Sequence, residues 1–137
     1  MPDTRLIRTF LEPHHSPLAE RASGFATGQI GKRAEPADDA AARVEARALL
    51  RLLGDGGWLK PIFDLDLRGC CLVREALGEA SPLADAVFAL QGLGATPILL
   101  SGSAAQKERW LGAIAEGKVM TAFAMTEPEA GSDVASI

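Results

Sequence analysis

The residues best placed to do chemistry lie within residues 126–133, where Thr126, Glu127, Glu129, Ser132 and Asp133 gather two hydroxyls and three carboxylates. Just before them, residues 119–126 alternate as a strand's period of two requires. Val119, Thr121, Phe123 and Met125 fall on one face, and Met120, Ala122, Ala124 and Thr126 on the other. Beyond Met120 the second face is nearly flat. A flat face that ends in a hydroxyl, followed by turns at Glu127-Pro128 and near Gly131, could receive a planar ring. Read alone, the same loop is also an ordinary surface turn, with Pro at the second position and Gly where φ can be positive.

The other candidate groups are weaker. Cys70 and Cys71 are neighbours and point about 100° apart in a helix, so they cannot pair; they read as small apolar residues. His14 and His15 sit between Pro13 and Pro17 with no third ligand at useful spacing, which favours a solvated turn over a metal site. Gly92 and Gly94 begin like a dinucleotide fingerprint, but Pro97 stands at the third glycine and the run follows a helix. Gly31-Lys32 resembles the end of a phosphate loop, yet Ala26 and Arg33 occupy its required positions.

Composition is that of a globular domain: 137 residues, 47% hydrophobic, 23% charged. A net charge of -4 with no long basic block argues against a nucleic-acid surface. The apolar runs read as too short for a membrane span, and residues 1–11 lack the apolar core of a secretory signal, so a cytoplasmic location is expected.

The elements that must position the loop are helices. One spans roughly residues 17–31 with Leu18, Ala22 and Phe25 inward. A second follows Asp38 and Asp39, burying Ala41, Val44, Ala48, Leu49, Leu52 and Leu53 opposite Arg43, Arg47 and Arg51 until Gly54 stops it. A third runs over about 66–79 with Leu67, Cys70, Val73 and Leu77 buried and Cys71 widening the face. Ser81-Pro82 restarts the pattern through Leu83, Val87 and Leu90, and Gly92 and Gly94 end it. Pro97 opens a short piece to Leu100. Ser103 and Gln106 form a capping box for a helix to about residue 116 that buries Trp110, Leu111 and Ile114. The fold class expected is mainly α: a helical domain over 1–117, then one strand and loop over 118–137 that begin a β domain.

The run AMTEPEAGSD, residues 124–133, resembles the flavin-contacting motif of the acyl-CoA dehydrogenase family. Upstream, GLGATPILLSGSAAQKERWLGAIAEGK, residues 92–118, is similar to that family's Gly-Pro segment, Gly-Ser cap, Gln-Lys pair and Trp-Leu pair, in the same order. Residues 67–94 resemble the preceding helices, and residues 1–57 match loosely. The chain corresponds, on this resemblance, to the N-terminal third of such an enzyme.

The resemblance implies FAD as cofactor and oxidation of an acyl-CoA to a trans-2-enoyl-CoA by loss of an α proton and a β hydride. It implies that Phe123, Ala124, Met125, Thr126, Glu127, Pro128, Glu129, Ala130, Gly131 and Ser132 line the flavin, with the Thr126 hydroxyl at its pyrimidine edge. Ser132 would touch the thiolester arm, and Asp85, Phe88 and Ala89 would border the acyl tail. A buried Asp85 would demand a polar acyl group or a cationic neighbour. The family's catalytic glutamate lies in a later helical domain, so no catalytic base is assigned here; Glu127 and Glu129 are bystanders. An electron acceptor such as an electron-transfer flavoprotein and a homotetramer follow by the same resemblance. The alternatives are an acyl-CoA oxidase, a flavin monooxygenase of the same architecture, or a helical interaction module without catalysis.

Overall fold

The structure is a computed structural model that describes residues 4–136; residues 1–3 and 137, the outermost positions of the two expected segments, lie outside the described residues. Six α-helices follow one another: α1 (His15–Phe25), α2 (Asp39–Asp55), the short α3 (Lys60–Phe63), α4 (Leu67–Ala80), α5 (Pro82–Ser101) and α6 (Ala104–Ala115). α1 continues into a π-helical turn at Ala26–Ile30, and short 3-10 turns stand at Arg8–Phe10 and Val134–Ser136. α5 is the central element, packed against α2, α3, α4 and α6, while α1 lies on α4.

Each long helix from α2 onward starts where a short polar side chain takes over an orphan N–H. Asp38 accepts from Ala41 N at 2.8 Å, Asp66 from Gly69 N at 2.9 Å, and Ser81 from Ala84 N at 3.3 Å. At α6 the capping box is complete: Ser103 Oγ accepts from Gln106 N, and Ser103 N donates to Gln106 Oε1 at 2.8 Å. The faces these caps orient meet in one core built on Ile30, Leu49, Leu53, Leu59, Leu77, Phe88 and Ile114.

Leu49 and Leu53 on α2, Val73 and Leu77 on α4, Val87 on α5 and Ile114 on α6 face inward as their periodicity has them, but other positions do not. On α4, Leu67 is 75% exposed and Cys70 half-buried; the buried stripe is Gly69, Leu72, Val73, Ala76 and Leu77. Val44 on α2, Leu90 on α5 and Trp110 on α6 are likewise exposed, and the Arg109 guanidinium lies over the Trp110 ring at 4.7 Å. Leu18 and Ala22 are buried as expected, and half-buried Phe25 rests on Trp58 with ring centroids 4.7 Å apart. Gly54 does not stop α2, which runs to Asp55; a Cβ at Gly54 would collide with the backbone of Glu116 and Gly117, so glycine serves a close crossing of α2 with the end of α6. Gly117, at φ +65°, completes that crossing against Leu50 O.

Gly92 and Gly94 do not end α5 either. The helix passes through both and through Pro97, which withdraws one N–H from its ladder, to Ser101. At full length α5 is long and apolar enough to cross a membrane by length and composition, contrary to the expectation that no run approaches that size; here it contacts four helices.

The expected strand at 119–126 does not form among the described residues. The segment is open coil, because a ladder needs a second strand's N–H and C=O groups beside it. A side chain of α5 takes that place instead. Gln91, 0% exposed, donates from Nε2 to Val119 O at 2.9 Å and accepts at Oε1 from Thr121 N at 2.7 Å.

Candidate functional site: an apolar groove and the loop beside it

α3, α4 and α5 leave a groove of about 610 Å³ between them. Ile62 and Pro61 come from α3, Leu67 and Cys70 from α4, Phe88, Ala89, Leu93 and Thr96 from α5, and Phe123 from the segment beyond α6. The wall is apolar because its polar groups are already engaged. Thr96 Oγ1 donates to Gly92 O at 2.7 Å, which also occupies a carbonyl near the proline-broken stretch of α5. Arg74, at one margin, sends Nε and Nη2 to the two Asp85 oxygens at 2.7 and 2.8 Å. Asp85 therefore has its cationic neighbour, one helix away, and needs no polar ligand in the groove. The hydrogen bond with Asp85, and then its charge, raise the Arg74 guanidinium above its ordinary value against the opposing effect of burial. Burial pushes the Cys70 thiol up to about 11, with Asp66 adding to it, so Cys70 is a wall atom and not a nucleophile.

Phe88 and Ala89 thus stand at the groove, Phe88 fully buried as its floor. Among residues 123–132 only Phe123 lines it. Ala124, Met125, Thr126, Glu127, Pro128, Glu129, Gly131 and Ser132 are exposed, and Ala130 is buried. A tight turn is closed by Glu127 N to Ala130 O at 2.9 Å and Ala130 N to Glu127 O at 3.3 Å, with Pro128 and Glu129 at its tip. Between Thr121 and that turn, the backbone N–H groups of residues 122–126 and the Thr126 hydroxyl make no hydrogen bond to a described residue. A strip with unengaged donors, and with small side chains at Ala122, Ala124 and Thr126, fits the edge of a planar, hydrogen-bond-accepting ring.

The groove's mouth is held from the far side by a cluster that the sequence did not reveal. Leu65, which lines the groove, has φ +55°, a conformation disfavoured for a bulky side chain by roughly 1–3 kcal/mol. The next residue, Asp66, anchors it. Besides capping α4, Asp66 accepts from His15 Nε2 at 3.0 Å and lies 3.2 Å from His14 Nε2. Burial alone would raise this carboxyl, but the bonds from Gly69 N–H, His15 and His14 outweigh it and bring it to about 2. His14 is solvated as expected, whereas His15 is 0% exposed. Both imidazoles and Asp66 are close enough to hold a metal ion, yet Glu12 N donates to His15 Nδ1 at 2.8 Å. That bond leaves the ring proton on Nε2, the atom a metal would need bare, so the arrangement suits a structural lock. The signal was absent from the sequence because Asp66 lies far down the chain from the histidines.

The sequence that builds these helices has counterparts in known proteins. Residues 12–118 match the family described as acyl-CoA dehydrogenase, N-terminal domain, which carries the likeness back over α1 to α3 as well. The mitochondrial very long-chain specific acyl-CoA dehydrogenase of Rattus norvegicus is 53% identical over 47 residues, and those of Mus musculus and Homo sapiens are 51% identical over the same length. Those 47 residues are 34% of this chain and 7% of each relative's length. With the match spanning all six helices, the chain belongs to the acyl-CoA dehydrogenase family.

Proposed function

We propose that this chain supplies the acyl-tail wall and the flavin-edge loop of an FAD-dependent acyl-CoA dehydrogenase. The observation that carries the reading is the apolar groove with Phe123 on its rim and a strip of unengaged donors directly beyond it. The chemistry that FAD supplies when bound is acceptance of a hydride from the acyl β carbon, coupled to loss of an α proton, which leaves a trans-2-enoyl-CoA.

The chain's own contributions are binding and orientation. Leu93, Ala89, Phe88 and Ile62 exclude water from an alkyl tail and leave it no polar group to pair with, so an unsubstituted chain suits the groove better than one with a charged end. The Thr126 hydroxyl and the backbone donors of residues 122–126 would hydrogen-bond a ring edge that becomes negative on reduction, which favours the reduced form. Ser132 would meet the thiolester arm. Glu127 and Glu129 flank the turn tip, exposed, and are assigned no proton transfer; the base is placed outside this chain. An electron-transfer flavoprotein as acceptor and a tetrameric assembly complete the proposal.

The test is titration of the 137-residue protein with decanoyl-CoA, followed by NMR. Resonances of Ala89, Leu93 and Phe123 should shift, and Ala89→Trp, which fills the groove, should remove the response. Shifts scattered over the surface, or an unaltered response in Ala89→Trp, would overturn the assignment.

A further inference from the structure

Gln91 is a fully buried amide on a helix whose neighbours are almost all apolar, and burial of such a group is costly unless every polar atom finds a partner. Its partners are not on its own helix. Nε2 donates to Val119 O at 2.9 Å; Oε1 accepts from Thr121 N at 2.7 Å and from Thr121 Oγ1 at 3.1 Å. Thr121 Oγ1 also lies 2.7 Å from Leu90 O. One turn further along α5, Gly94 lacks the Cβ that would strike the Thr121 side chain. From the other side, Lys118 N and Val119 N both donate to Ala113 O of α6, at 2.9 and 3.3 Å. Past Thr121 no backbone bond to a described residue holds the chain until the turn at Glu127.

In an extended chain the C=O of one residue and the N–H of the residue two further on point the same way, and side chains alternate between faces. One carboxamide that engages Val119 O and Thr121 N together therefore reads register, as a neighbouring strand would. We infer that Gln91 is a positioning residue: by fixing that register it directs Phe123 to the groove and sets the face on which Thr126 emerges. A slip of one residue would turn Phe123 away from the groove and lay Met120 or Ala122 over Gly94. The inference rests on the acyl-groove reading for its function, and on the hydrogen bonds alone for its geometry.

The experiment compares the 137-residue parent with Gln91→Met, which keeps length and apolar volume but loses all three carboxamide hydrogen bonds, and with Thr121→Val, which removes only the hydroxyl contacts of the same anchor. Readouts are nuclear Overhauser contacts from the Phe123 ring to Leu93 and Ala89, exchange protection of the Thr121 amide, core methyl shifts, and decanoyl-CoA affinity. Expected for Gln91→Met are loss of the Phe123 contacts and of Thr121 protection, about tenfold weaker decanoyl-CoA binding, and unchanged methyl shifts at Leu53 and Leu77. Thr121→Val should show the same pattern in milder form. Phe123 contacts and affinity that survive Gln91→Met would overturn the inference. Should Gln91→Met fail to fold, Thr121→Pro, which removes the N–H that Gln91 Oε1 accepts, decides in its place, and unaltered Phe123 contacts in it overturn the inference equally. A parent protein that binds no decanoyl-CoA removes the acyl reading, and the register claim then stands or falls on the Phe123 contacts.

Discussion

The bundle of α1 to α6 and the segment of residues 119–136 are built on opposite terms. Within the bundle every long helix from α2 onward carries a side-chain cap and the core side chains are fully buried; beyond Val119 nearly every residue is exposed and Ala130 alone is buried among residues 122–136. The bundle closes upon itself, whereas the segment keeps its donors and its small faces open while only its root is fixed. Residues that hold the fold and residues that offer chemistry are thus separated along the chain, with Phe123 and the Gln91 anchor as the places where they meet.

That separation fails first, if it fails, on stability. Leu53→Ala, at a core position with no exposed surface, should lower unfolding free energy by about 2–5 kcal/mol in denaturant titration. Acid should act next, through Asp66. Its folded-state value of about 2 lies below the 3.8 of an unperturbed carboxyl, so its contribution is complete above that higher value and is lost as pH falls from about 4 towards 2. The linked loss is on the order of 2 kcal/mol for this carboxylate, whose side chain is 19% exposed, and Asp66→Asn, which retains an acceptor for Gly69 N–H, should flatten that limb of the pH profile.

At the segment the same experiments should show almost nothing. Phe123→Ala should change unfolding free energy by no more than about 0.5 kcal/mol while weakening decanoyl-CoA binding, since the ring is half exposed and serves the groove. A large stability loss there would mean that the segment belongs to the core. Thr126→Val should leave stability unaltered, because β-branching is kept. In the flavin-loaded protein it should lower the midpoint potential by roughly 30–60 mV, the equivalent of about 1.5–3 kcal/mol for a bond to a charged form. An unshifted potential would leave the cofactor to the backbone of this loop.

The sequence was most readable where short-range chemistry decides. Asp38, Asp66, Ser81 and the Ser103–Gln106 box stand where a helix must begin, and all four do so. Glycines misled, because the same missing side chain that ends a helix also admits a neighbour: Gly54 admits Glu116 and Gly117, and Gly94 admits Thr121. Leu67 has the period of a core residue, yet the helix phase turns it to solvent and the groove. The site divides in the same way. Phe88 and Ala89, expected through the resemblance to border an acyl tail, line the groove, whereas Phe123 was expected at the flavin and lines the groove as well; the lock of His15 on Asp66 and the grip of Gln91 on Val119 and Thr121 join distant parts of the chain and leave no local pattern.

The π-helical turn that ends α1 carries a consequence for chain length. Gly31 N reaches back to Ala26 O at 2.8 Å, one residue further than an α-helical bond, and both Ala26 and Ile30 are buried within this wider turn. Such a turn is an α-helix with one residue inserted. Deleting one residue between them would restore the ordinary i→i−4 turn and leave the side chains beyond it facing nearly as before, because the extra residue is taken up within the turn itself. Chain length can therefore change by that one residue within 26–30, as it can over residues 31–38, which are exposed apart from half-buried Pro36, without turning the rest of the core outward.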